Sequence, residues 1–176
     1  VRPGDIVRTR AGLTVEVVST DAEGRLILAD AIAMAAERKP SVLVDVATLT
    51  GAAVVALGHH AAAVLGNDEP LISSLRAVGE DCGERLWPLP LWPEYEEGLS
   101  SEFADVANSD SGEHGAATIL GAAFLKRFVP EGVRWAHLDI AGTARDPATA
   151  AHRGAGATLF GGRLLADWLA KYTAAR

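Results

Sequence analysis

Cysteine is nearly missing from this chain. Cys82 is the only one, so no intrachain disulfide can form, which fits a reducing compartment. A lone cysteine in a helical pattern reads as a small, partly buried residue rather than a nucleophile. Long apolar runs are missing too. Ala52 to Leu57 and Ala61 to Leu65 are separated by Gly58-His59-His60, and neither approaches the roughly 20 residues of a membrane span. The opening Val1-Arg2-Pro3-Gly4-Asp5 has no apolar signal-peptide core. Basic charge is scarce: 16 Lys and Arg against 23 Asp and Glu leave a net charge of −7. That argues against nucleic acid as the main partner, because phosphate binding wants a basic face. The serines at 100, 101, 109 and 111 lack the Gly-x-Ser-x-Gly elbow of serine hydrolases. No internal repeat and no linker divide the chain. The expectation is a cytoplasmic protein with no nucleic-acid or membrane partner.

What is present is an ordinary globular balance, 49% hydrophobic and 22% charged over 176 residues, enough for one substantial core. Ile6 to Arg10 and Thr14 to Ser19 alternate as strands around an Ala11-Gly12 turn. From Gly24 to Arg38 apolar residues recur at helical spacing, and Pro40 stops the pattern. Ser41 to Val46 reads as a buried parallel strand, Thr50 to Leu57 as a short helix and Ala61 to Gly66 as another buried strand. Pro70 to Cys82 is helical. Leu86 to Pro93, with three prolines and two tryptophans, reads as irregular. Glu94 to Leu99 reads as a helical turn, Ala104 to Gly115 as a loop and Ala116 to Phe128 as a helix. In the strand Val133 to Ile140, Trp135, His137 and Asp139 share one face and Ala136, Leu138 and Ile140 the other. Asp146 to Gly156 reads as a long loop and Thr158 to Tyr172 as the closing helix. Strands alternating with helices indicate an α/β fold, a largely parallel central sheet flanked by helices on both faces. Ligands of such sheets sit beyond the carboxyl ends of strands. Thr20 to Arg25, Ala47 to Gly51 and Ala141 to Arg145 all follow predicted strands.

The densest chemistry is Ser19-Thr20-Asp21-Ala22-Glu23-Gly24-Arg25-Leu26. One reading makes Asp21 a helix N-cap, with Glu23 favourable to the helix dipole. Arg25 gains nothing from the positive end of a helix. The other reading is two carboxylates for a divalent metal cluster, with Arg25 clamping an anion or a developing negative charge. Adjacent His59 and His60 on a strand would face opposite ways and could not chelate together. His114 reads as a loop residue. Asp139 either belongs to a site or orients the Ala141-Gly142-Thr143 turn. Trp87 and Trp92 among their prolines read as packing or a subunit contact rather than a ligand platform.

Thr20-Asp21-Ala22-Glu23-Gly24-Arg25-Leu26 resembles the signature of the M17 leucyl aminopeptidases, the cytosol aminopeptidase family, where Asn usually stands in place of Ser19. Asp45-Val46-Ala47-Thr48-Leu49-Thr50-Gly51, Ala104-Asp105-Val106-Ala107-Asn108, Ala122-Ala123-Phe124-Leu125 and His137-Leu138-Asp139-Ile140-Ala141-Gly142-Thr143 extend the likeness along the chain. The resemblance implies a two-metal aminopeptidase, using Mn²⁺ or Zn²⁺, that removes leucine and other apolar N-terminal residues from peptides as a homo-hexamer. It implies Asp21 and Glu23 as metal ligands and a catalytic Arg25 that holds bicarbonate. It also implies that Thr48, Leu49 and Gly51 bind substrate.

The family's remaining ligands, a lysine and two aspartates, and its catalytic lysine come from further upstream than the 20 residues preceding Asp21. Lys39, Lys126 and Lys171, the only lysines, match none of those positions. The expectation is that residues 1–176 are the C-terminal part of the catalytic domain, with half of the metal site and no peptidase activity alone. Two other readings remain open. One is a non-catalytic α/β binding or assembly module; the other is a different hydrolase using Asp21, Glu23 and Arg25 alone.

Overall fold

The computed structural model describes residues 1–110, 115–146 and 155–174. The elements are β1 (Ile6–Arg8), β2 (Thr14–Glu16), a 3-10 turn (Thr20–Ala22), α1 (Glu23–Ala36), β3 (Val42–Ala47), α2 (Gly51–Leu57), β4 (Ala62–Gly66) and α3 (Glu69–Cys82). They continue as β5 (Leu86–Pro88), a 3-10 segment (Pro93–Leu99), β6 (Val106–Ala107), α4 (Ala117–Lys126), β7 (Arg134–Asp139), β8 (Arg145–Asp146), β9 (Gly156–Ala157) and α5 (Gly162–Ala174).

The central sheet runs β3-β7-β4-β5. β3 is parallel to β7 and β4 to β5, while β4 meets β7 antiparallel. Two of three pairings are parallel, as expected for a largely parallel sheet. β7 partitions the core by its period of two. Trp135, fully buried, packs with Ile32 of α1, Phe124 of α4, Leu43 and Leu65. Ala136 and Leu138 on the opposite face pack with Leu75 of α3 and Leu164 and Trp168 of α5. Helices therefore cover both faces. Each fully buried Leu or Phe here contributes about 1.5–3 kcal/mol against an exposed position.

Local chemistry sets the helix ends. The Asp68 carboxylate accepts from Leu71 N at 2.8 Å, Pro70 sits in the first turn of α3, and Gly83 at φ 78° ends it. The closing helix begins at Gly162 rather than Thr158, because Leu159 (φ 57°) and Gly161 (φ 92°) take left-handed conformations that no helix accommodates.

Three further expectations are revised. Leu86–Pro88 is not irregular: it pairs with β4, and Pro88 is tolerated at the sheet margin, where β5 has one neighbour. Within the expected loop 104–115, Val106–Ala107 pairs with β2 to extend the small β1-β2-β6 sheet. β3 is parallel but only half-buried apart from Leu43, because it is also an edge strand. His114 and much of the expected loop 146–156 lie outside the described residues.

Candidate functional site

Asp21 does not cap the following helix. It sits in the 3-10 turn, the N-cap residue of α1 is Ala22, and no side chain caps there. Asp21 and Glu23 are exposed, and their side chains make no hydrogen bond or ion pair with other described residues. Glu23, first in α1, is favoured by the helix dipole. Arg25, two residues further along α1, is 6% exposed. Asp21, Glu23, Arg25, Leu28, Thr48 and Leu49 line one cavity of about 160 Å³. Of the substrate-binding residues expected, Gly51 lies outside that lining, exposed at the start of α2.

The segment before α1 is held by a residue to which the sequence reading gave no role. Asn108 is fully buried. Its Oδ1 accepts from Val18 N at 2.8 Å and Ser19 N at 3.1 Å, and its Nδ2 donates to the Ser19 carbonyl at 2.7 Å. Its backbone carbonyl accepts from Arg25 Nη1 at 2.7 Å. The signal available was an amide directly after the apolar pair Val106-Ala107, since a buried amide must find partners.

Arg25 keeps a buried Nε with no partner among the described residues. Burial pushes its guanidinium below the usual value, and the charges of Asp110 and Asp139 oppose that shift. A guanidinium stays charged at neutral pH.

Asp139, at the end of β7 and fully buried, orients the second wall. Its Oδ1 accepts from Leu49 N at 3.1 Å and Ala141 N at 3.2 Å, and its Oδ2 from Thr50 Oγ1 at 2.6 Å. Thr50 caps α2 through Ala53 N and shares a 2.7 Å hydrogen bond with Thr118 of α4. Gly121 allows α4 to approach: a Cβ there would stand 3.1 Å from Leu49 Cδ2 and 3.5 Å from Arg25 Nη2. The stretches 20–25 and 47–49 thus converge on one cavity, and Asp139 ties the third to them.

The donor chemistry fits a divalent cation in part. Asp21 and Glu23 offer carboxylate oxygens with no partner among the described residues, the ligands hard cations take. No group of three His, Cys, Asp or Glu suited to a metal occurs among the described residues. His59 and His60 are exposed, with His59 Nδ1 2.7 Å from the Gly142 carbonyl. Trp87 and Trp92 are exposed, beneath Arg76 and against Tyr95 respectively.

A sequence model of the cytosol aminopeptidase family, catalytic domain, matches residues 1–166. The chain belongs to that family. It is 54% identical over 168 residues to a probable cytosol aminopeptidase of Geobacter sp. (strain M21), covering 96% of this chain and 34% of the relative. With the corresponding protein of Alkalilimnicola ehrlichii it shares 57% over 143 residues, 81% of this chain and 28% of that one. Among solved structures, the bottromycin maturation enzyme BotP superposes with a TM-score of 0.92 at 40% identity, over 98% of this chain and 38% of BotP. The chain therefore spans about a third of the length of the relatives it matches. No helix among the described residues is long and apolar enough to cross a membrane.

Proposed function

We propose that this chain supplies part of the active site of a two-metal aminopeptidase that removes leucine and other apolar N-terminal residues from peptides. The observation that carries the proposal is the cavity itself: two carboxylates beside a buried guanidinium, with neither carboxylate nor the guanidinium Nε finding a partner among the described residues. Asp21 and Glu23 would hold divalent cations, Mn²⁺ or Zn²⁺. When bound, such cations supply Lewis acidity that polarises the peptide carbonyl and activates water. Arg25 holds an anion beside them, bicarbonate by family resemblance, and its burial strengthens that interaction. The Thr48–Gly51 loop, fixed by Asp139, binds the substrate backbone. The remaining ligands come from a preceding segment of the catalytic domain. The assembled protein is a cytoplasmic homo-hexamer.

Two measurements test this. Purified residues 1–176 are expected to give no turnover of leucine amide, whereas the protein with its preceding segment turns it over with added Mn²⁺. Glu23→Ala in that longer protein abolishes both Mn²⁺ binding and turnover. Turnover by residues 1–176 alone, or tight stoichiometric Mn²⁺ binding by them, would overturn the half-site reading. Failure of the longer protein to hydrolyse any aminoacyl amide would favour a binding or assembly module.

A further inference from the structure

A second cavity, of about 450 Å³, lies at the same end of the central sheet. β4 runs antiparallel to β7, with Ala63 opposite Asp139, so the entries to β4 and β5 meet the exit of β7. His59, His60, Glu84, Arg85, Thr143 and Arg163 line it. None of these residues lines the Asp21 cavity.

Its charge runs against the chain's net −7. The carboxylate of this lining, Glu84, is buried and occupied: one oxygen accepts from Gly161 N at 3.0 Å and Leu164 N at 2.9 Å, at the start of α5. Arg85 has a distant partner in Glu80, at 3.6 Å with both side chains more than 60% exposed, a pair worth little. The Arg163 side chain makes no hydrogen bond or ion pair with other described residues. His59 donates from Nδ1 to the Gly142 carbonyl if its neutral tautomer carries the proton there, which aims the ring from a fixed anchor. Two guanidiniums against one occupied carboxylate leave the lining net positive, with two imidazoles beside them.

We propose that this cavity binds a small oxyanion, a phosphate or a carboxylate, through Arg85, Arg163, His59 and His60. Guanidiniums match the paired oxygens of either group. The volume falls in the range of small-molecule sites. The proposal is independent of the metal-site reading, since it uses different residues and needs no peptidase activity.

The test titrates isotope-labelled chain with inorganic phosphate, and separately with citrate, at ionic strength held constant by chloride. Amide shifts are followed by NMR. The expected result is saturable shifts centred on His59, His60, Arg85, Thr143 and Arg163, the tighter anion identifying the source of the oxygens. Arg85→Gln with Arg163→Gln then weakens binding at least about tenfold. Both heads are exposed, so that variant is expected to fold, and the map on the unmodified chain stands without it. Absence of saturable shifts with either anion, shifts centred on the Arg25 cavity instead, or undiminished affinity in the double variant overturns the proposal.

Discussion

Arg25 donates through Nη1 to the backbone carbonyl of Asn108 at 2.7 Å, while the Asn108 side chain grips the two residues that lead into the Thr20–Ala22 turn. One amide residue therefore sets both the guanidinium and the loop that carries Asp21. The orientation of the cavity depends on a strand-end position, 83 residues away in the chain, that is not among the residues lining it.

Asn108→Ala is expected to destabilise the fold by about 2–3 kcal/mol, because it removes the partners of Val18 N, Ser19 N and the Ser19 carbonyl at a partly buried site. Urea unfolding monitored by tryptophan fluorescence measures it. A loss below about 1 kcal/mol would mean that water replaces the amide, and the clamp would have no standing.

Much of this architecture could be read from the residues, and the exceptions have physical causes. The amphipathic pattern of α3 and the two-faced alternation of β7 are strong periodic signals, and both appear as expected. β5 and β6, of three and two residues, are too short for periodicity to register, and their pairing is decided by β4 and β2. The half-burial of β3 depends on sheet order, which no local window contains. At the site, Asp21, Glu23 and Arg25 stood out by charge density. Asn108 and Thr118 did not, since their roles are long-range hydrogen bonds. The capping reading of Asp21 failed because the 3-10 turn shifts the helix start past it.

A pH dependence follows from Asp105, whose Oδ2 accepts from Thr14 Oγ1 at 2.6 Å and Thr14 N at 2.7 Å. These hydrogen bonds hold the carboxyl below its ordinary 3.8, the side-chain bond contributing most. A depressed carboxylate pKa stabilises the fold above the unfolded value and loses that effect as pH falls through the folded one. Asp105→Asn should therefore be less stable than the parent at pH 7, with the gap closing below pH 3.8. Urea midpoints at a series of pH values check this; a gap that stays constant would rule out ionisation as its origin.

Asp139 is fully buried and receives three hydrogen bonds that fix Leu49, Thr50 and Ala141. Asp139→Ala removes all three acceptor contacts and should cost roughly 3 kcal/mol, whereas Asp139→Asn, which keeps one acceptor oxygen, should cost about half of that. In amide exchange, Leu49 N is expected to lose protection in the Ala variant and retain part of it in the Asn variant. Equal protection in both would mean that the Thr48–Gly51 loop holds its shape without Asp139.

Gly142 and Gly51 provide opposite tests of space. A Cβ on Gly142 would lie 2.1 Å from the Gly58 carbonyl oxygen and 3.7 Å from Val54 Cα, both backbone atoms that no rotamer change can move. Gly142→Ala must therefore push the turn after β7 away from the end of α2, at a cost of about 1–3 kcal/mol or more. It should also loosen the His59–Gly142 hydrogen bond. A Cβ on Gly51 meets nothing within 4 Å. Gly51 is exposed in the first turn of α2, so Gly51→Ala should change stability by less than about 0.5 kcal/mol. The pair separates structural from functional glycine. If Gly51 borders the substrate, its alanine variant in the longer protein raises KM for leucine amide while the melting temperature stays put. A normal KM in that variant would remove Gly51 from the substrate-binding set, leaving Thr48 and Leu49, the two members that line the Asp21 cavity.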